Sequence, residues 1–229
     1  EFIGVNSGIM DQFAVGKGEK DSAILLDCNT LDYELIPVVL ENHSIVIMNT
    51  KKRRELADSK YNERRSECDQ ALAELQKNLT VSSLGELDEQ TFADHQSILS
   101  NETILKRARH AVTENQRTIK AAVSLKAGNL KEFGQLMNES HISLRDDYEV
   151  TGPELDAIVQ AAWDQPGILG ARMTGAGFGG CAIAIVENDK IDEFIDQVGK
   201  QYLDEVGYPG EFYIAQISDG PKLLEEESV

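Results

Sequence analysis

Two hydrophobic periods divide the chain. Up to about residue 50, apolar residues come in short runs. Ala23-Ile24-Leu25-Leu26 predicts a strand, ended by the turn-forming stretch Asp27 to Thr30. Leu31 to Val39 predicts a second strand, with Pro37 marking an edge or a bulge because proline has no amide hydrogen to give a ladder. Glu41-Asn42-His43 turns the chain into Ser44 to Met48, whose branched residues predict a buried strand. From about 55 to 165 the spacing becomes helical. Tyr61, Cys68, Leu72, Leu75 and Leu79 share one face of a first helix, and Glu63, Arg64, Arg65 and Glu67 fall outside it. A second long helix carries Ile104, Ala108, Ala111, Val112, Ile119, Ala122 and Val123. Gly128 is expected to stop it and Asn129 to cap the next, which turns Leu130, Phe133, Met137 and Leu144 inward. Thr151-Gly152-Pro153 opens a further helix, with proline in the first turn where its missing amide hydrogen costs nothing.

After Pro166 the short period returns. Leu169 to Thr174 predicts a strand, Gly175 to Gly180 a loop, and Cys181 to Val186 an almost wholly apolar strand. Asp189 is expected to cap a helix with Ile191, Phe194, Ile195, Val198 and Tyr202 on its inner side, before a last strand from Phe212 to Ile217. A helical stretch followed by β-loop-β-α-β argues for an α+β fold, with helices on one face of a mostly antiparallel sheet.

Charge narrows the partners. The formal net charge is −18, from 40 acidic against 22 basic residues, a field that repels nucleic acid and anionic lipid. The one basic run, Lys51 to Arg54, sits within that field and is not expected to bind nucleic acid. No run of some eighteen apolar residues is present to span a membrane. Cys28, Cys68 and Cys181 are odd in number, widely spaced and without a C-x-x-C, which fits a reducing, cytoplasmic setting. The four histidines show no paired ligand spacing, so no zinc site is expected. Glu1 to Asp11 is too polar for a signal peptide, and the chain opens in mid-pattern without a Met, as a fragment does.

Three stretches are candidates for chemistry. Gly175-Ala176-Gly177-Phe178-Gly179-Gly180 meets the bare pattern G-x-G-x-x-G. The dinucleotide fingerprint needs a helix to follow, whose amino end binds the pyrophosphate, whereas an apolar strand follows this one. Two readings stay open: a tight glycine turn, or a loop that brings backbone close to a ligand or another loop. The second stretch, Gly4 to Phe13, leads small and polar residues into Asp11, flanked by Ile9, Met10 and Phe13. That carboxylate either favours a helix amino end or accepts a proton from a bound hydroxyl. In the third, Ser140 to Tyr148, Arg145 with Asp146 and Asp147 reads as a structural ion-pair cluster, and His141 as a satisfied helix residue.

Together with Pro153-Glu154-Leu155-Asp156, these stretches occur in the order seen in galactokinases, and the glycine loop resembles the third motif of the GHMP kinases (galactose, homoserine, mevalonate and phosphomevalonate). The resemblance runs from about Phe2 to Gly220. It implies transfer of the γ-phosphoryl group of ATP to the anomeric hydroxyl of α-D-galactose, with Mg²⁺ accompanying ATP. By resemblance Asp11 is the base for that hydroxyl, Tyr61 hydrogen-bonds the sugar, and backbone at Gly8 comes near it. Gly175, Gly177, Gly179 and Gly180 then belong to a loop packed beside the nucleotide loop. The fold implied is a ferredoxin-like GHMP C-terminal domain over 51–229, with 1–50 a strand-rich remnant of the N-terminal domain. The intact enzyme is expected to be a monomer.

Several parts of the family pattern have no match in the sequence. The first motif, which holds the sugar through a glycine-glutamate-histidine run, is absent. So is the Gly-Leu-Ser-Ser-Ser loop that cradles the phosphates; Val81-Ser82-Ser83-Leu84-Gly85 has those residue types in the wrong order. The arginine partner of the catalytic carboxylate and the magnesium ligands belong to that missing part. The fragment alone is therefore expected to be inactive. Two alternatives stay open on the residues present: an N-acetylgalactosamine kinase, and a catalytically idle sugar sensor.

Overall fold

The computed structural model describes residues 8–52 and 57–222. The chain begins with α1 (Met10–Lys17), followed by the antiparallel hairpin of β1 (Ser22–Leu26) and β2 (Tyr33–Pro37), in which Ala23 lies opposite Ile36. Then come β3 (His43–Asn49), α2 (Ala57–Leu75), α3 (Glu89–His95), α4 (Glu102–Lys126), α5 (Leu130–Ser143) and α6 (Pro153–Trp163). Strands β4 (Ile168–Thr174) and β5 (Cys181–Glu187), helix α7 (Ile191–Val206) and β6 (Glu211–Ala215) complete it. Asn101 and Asn129 cap α4 and α5 by accepting from the amides of Ile104 and Glu132. Gly128 reverses the chain between those helices with φ of 68°.

The main sheet has the order β4-β5-β3-β6, and every neighbouring pair is antiparallel. Its side chains alternate. Val46, Met48, Ala171, Met173, Ala182, Ala184 and Val186 point into the core shared with Leu155, Ile158 and Val159 of α6 and Phe194, Val198 and Tyr202 of α7. Ile45, Ile183 and Ile185 point the other way, into a cavity of about 290 Å³ that α4 and α5 close from the far side. The α+β class holds, but helices cover both faces of the sheet rather than one. A second core joins Ala71 and Leu75 of α2 to Ile104, Ala108 and Val112 of α4, and a third seats Ile36 and Val38 on Ala122 and Leu125 of α4. Ile36, 1% exposed, anchors the hairpin; burying such a side chain is worth about 1.5–3 kcal/mol.

Some local expectations fail, each for a tertiary reason. Arg64, expected on the outer face of α2, is buried by partners from the end of α5. Ile119 and Val123 continue the apolar pattern of α4 yet stand exposed, at 47% and 60%. Asp189 does not cap α7: a 3₁₀ turn, Asn188–Lys190, intervenes, anchored where the Asn188 amide donates to the Asn42 carbonyl at 2.7 Å. The division expected at residue 50 also cuts the main sheet, because β3 lies before it and forms an interior strand.

Candidate active site

The glycine loop connects β4 to β5, with Thr174 opposite Cys181. Gly175, Gly177, Phe178, Gly179 and Gly180 all have φ between 57° and 111°, the left-handed region where a β-carbon is costly. The loop is docked on two sides. The Phe178 amide donates to the Val150 carbonyl at 2.6 Å. The Gly180 carbonyl accepts from the Thr50 amide at 2.9 Å and from the Thr50 hydroxyl at 2.8 Å. A β-carbon on Gly177 would stand 2.2 Å from the Val150 carbonyl oxygen, and one on Gly179 would stand 2.8 Å from Lys52 Cγ. Thr50 is held in turn by the buried Tyr202, whose hydroxyl donates to its carbonyl at 2.7 Å. A hairpin turn needs none of these outside contacts, so the loop is a docked element and not a plain reversal.

Gly8 and Tyr61 are brought together: a β-carbon on Gly8 would lie 4.0 Å from the Tyr61 hydroxyl oxygen. Tyr61 stands in α2, one turn ahead of Arg64. Asp11 is exposed in the first turn of α1, and no hydrogen bond or ion pair among the described residues holds its carboxylate. That helix has no side-chain cap and buries no residue. It is tied down by the edge-on contact of Phe13 with Tyr33, ring centroids 5.3 Å apart, and by Lys17, 5.6 Å from the Tyr33 centroid. No described contact joins Asp11 to the glycine loop.

The stretch 140–148 braces β4. His141, 1% exposed, accepts the Met173 amide hydrogen at Nδ1 over 3.1 Å. Its hydrogen therefore sits on Nε2, which lies 3.3 Å from Asp156 Oδ1 without making a hydrogen bond to it. His110 of α4 lies behind, with Nδ1 2.9 Å from Ser143 Oγ and its ring stacked on Tyr148 at 4.5 Å. Burial pushes the His110 imidazole down to about 4, against the opposing pull of Glu114. Arg145 pairs with Asp146 at 2.8 Å and Arg109 with Asp147 at 3.1 Å, in keeping with the structural reading of that cluster.

Sequence reasoning passed over two arginines. Arg64 donates from Nε to the Tyr148 carbonyl at 2.7 Å and from Nη2 to the Glu149 carbonyl at 3.1 Å. Arg107, 2% exposed, reaches the Asp147 carbonyl at 2.6 Å, Glu67 Oε2 at 2.7 Å and Glu149 Oε2 at 2.7 Å. One signal was available: Arg64 lies three residues after Tyr61 and Arg107 three after Ile104, so both sit on the apolar stripe of their helix. Neither site offers metal ligands. Among the described residues no group of three or more His, Cys, Asp and Glu side chains is arranged to hold an ion. No described helix is long and apolar enough to cross a membrane.

A family model described as GHMP kinases C terminal matches residues 121–204. The galactokinase of Enterococcus faecalis is 61% identical over 224 residues, 98% of this chain and 58% of that protein. That of Ligilactobacillus salivarius is 62% identical over the same shares. The chain thus spans a little over half the length of the curated relatives it matches. Among solved structures, Lactococcus lactis galactokinase complexed with galactose is similar at 57% identity and a TM-score of 0.93, over 96% of this chain and 56% of that one. The mevalonate kinase of L. major shares the fold alone, at 20% identity and a TM-score of 0.55 over 86% of this chain and 50% of that one.

Proposed function

Because a family model for the GHMP kinase C-terminal domain matches residues 121–204 and galactokinases are similar along nearly all of the chain, we propose that it is the C-terminal part of an enzyme that phosphorylates α-D-galactose on its anomeric hydroxyl with ATP. The observation that carries this reading is the likeness in both sequence and backbone to a galactokinase solved with galactose. The approach of Gly8 to the Tyr61 hydroxyl supports it, because the two residues assigned to the sugar then lie side by side.

The roles follow from that assignment. Asp11 takes the proton of the anomeric hydroxyl or orients that hydroxyl for attack, and Tyr61 hydrogen-bonds the sugar. The glycine loop, free of side chains at Gly175, Gly177, Gly179 and Gly180, lets backbone lie against the nucleotide-binding segment. Phosphoryl transfer rests chiefly on positioning and on stabilising charge, which suits a site made of a docked backbone loop and a single carboxylate. The phosphate loop, the cationic partner of Asp11 and the ligands of Mg²⁺ are assigned to residues outside this sequence. We assign Gly8 through the β1–β2 hairpin to the N-terminal domain and β3 onward to the C-terminal one, and the intact enzyme to the cytoplasm as a monomer.

A coupled assay with ATP, magnesium and galactose tests the reading. The chain alone is expected to show no turnover. A longer polypeptide that supplies the missing motifs is expected to turn over at about 10 s⁻¹. In that longer enzyme Asp11→Asn is expected to cost about 10²-fold or more in kcat while galactose binding is kept. Full turnover by the Asn variant removes Asp11 from the chemistry, and galactose-dependent turnover by the chain alone overturns the division of the site.

A further inference from the structure

The end of α5 poses a hydrogen-bonding problem whose solution leads to the glycine loop. The helix runs on through a π-type turn, Leu144–Tyr148, and Glu149 then takes the left-handed conformation with φ of 54°. The last carbonyls of a helix have no amide partners within it, and buried ones must find donors elsewhere. Three successive carbonyls, those of Asp147, Tyr148 and Glu149, accept from guanidinium groups: the first from Arg107, the other two from Arg64. Glu67 on α2 binds both cations through Oε2, at 2.7 Å from Arg107 Nε and 3.2 Å from Arg64 Nη1. Glu149 adds its own carboxylate to Arg107. With Glu63 Oε1 3.6 Å from Arg64 Nη1, two buried cations are thus matched by three carboxylates and three carbonyls, the condition under which burying charge is tolerated.

The next residue is Val150, whose amide donates back to the Leu144 carbonyl at 3.1 Å and whose carbonyl receives the Phe178 amide. The loop and the turn also touch at Gly177, where the Val150 carbonyl fills the place of a β-carbon. We propose that Arg107 and Arg64 are positioning residues: by fixing the 147–150 turn they set where the glycine loop lies relative to α2 and Tyr61. This rests on the assignment of the loop to the nucleotide side and of Tyr61 to the sugar side. Arg64 is one helical turn from Tyr61, so a single run of hydrogen bonds spans Tyr61's helix, the turn and the loop. A displacement of about 1 Å between reacting groups costs a phosphoryl transfer on the order of 10²-fold.

Lysine is the informative replacement. It keeps the charge but cannot reproduce the fork that reaches a carbonyl and a carboxylate together. On the 229-residue chain, amide hydrogen exchange of Phe178 is compared with that of Val46 and Ile47 in β3, which report global opening. In Arg107→Lys and Arg64→Lys the Phe178 amide is expected to exchange about tenfold faster or more, with the β3 amides unchanged. Exchange of Phe178 at the parent's rate, or faster only in step with β3, overturns the proposal. This arm needs no activity, so it stands apart from the assigned reaction. In a longer, active polypeptide the same variants are expected to lower kcat about tenfold or more per folded molecule, with KM for galactose within about twofold. Variants that lose only the folded fraction, at unchanged kcat per folded molecule, would show that the arginines are structural and overturn the positioning role.

Discussion

The glycine loop and helix α1 carry the two halves of the assigned chemistry, and the chain treats them in opposite ways. The loop is held from both sides by backbone hydrogen bonds and by contacts too close for any side chain at Gly177. Helix α1, with Asp11, buries nothing and is tied by an aromatic contact and a chain return in which the Gly220 amide donates to the Gly18 carbonyl at 2.8 Å. Residues 8–220 therefore fix the part of the proposed site that would work by shape and leave exposed the part that would work by charge. A loop that must lie against another element gains from being over-determined. A carboxylate needs its counter-charge and its substrate to hold it, and none of the described residues provides the former.

The largest stability effect expected from this contrast lies at Gly177. A β-carbon there meets both a left-handed backbone, φ 82°, and the Val150 carbonyl. Gly177→Ala is expected to cost about 3 kcal/mol, and Gly177→Val at least as much. For a chain of this size that is a fall of about 6–12 °C in melting midpoint. An Ala variant that melts within about 2 °C of the parent would mean the docking is loose, and the contrast with α1 would vanish.

The next effect comes from behind the loop. His110 stacks on Tyr148, in the segment whose end carries Val150. Its folded-state pKa, about 4, lies below the ordinary 6.5. As pH falls the unfolded chain takes up the proton first, so the stabilisation is complete above about pH 6.5 and is lost as pH approaches 4. Between pH 7.5 and 5.0 the loss is expected to be about 2 kcal/mol. Urea unfolding of the parent and of His110→Gln at both pH values checks this. The variant is expected to lose less than the parent, and equal losses would take the titration away from His110.

How much of this was legible in the sequence depended on the range of the forces involved. Strands β1, β3, β4 and β5 and the starts of α5 and α6 were readable, because alternation, Asn129 and Pro153 act within a few residues. The glycine loop was legible as a loop, since glycine suits that left-handed backbone best. Its dock on Val150 was not, because it depends on Glu149 turning left-handed under the control of Arg64 and Arg107 from two other helices. For the same reason Arg64 was read as a surface residue: its partners lie 84 and 85 positions away. Ile119 and Val123 show the converse error, apolar residues in phase with the stripe at a part of α4 where they are left exposed. The meeting of Gly8 with Tyr61 joins residues 53 apart, and no local pattern encodes it.

The smallest stability effect is expected at Asp11, and its smallness is what makes it useful. A carboxylate in the first turn of a helix interacts favourably with the amino-terminal dipole, but on an exposed surface the gain is a few tenths of a kcal/mol, up to about 1. α1 contributes no buried side chain, so even partial fraying would leave the three cores untouched. Asp11→Asn is therefore expected to shift the melting midpoint by no more than about 4 °C and to leave the amide chemical shifts of β3 and β5 in place. The comparison with Gly177 then has opposite signs in its two readouts. The loop variant loses stability, while the α1 variant keeps it and, in the longer enzyme, loses turnover. A fall of 5 °C or more for Asp11→Asn would place that carboxylate among the supports of the fold, and the division between a shaped half and a charged half would have to be given up.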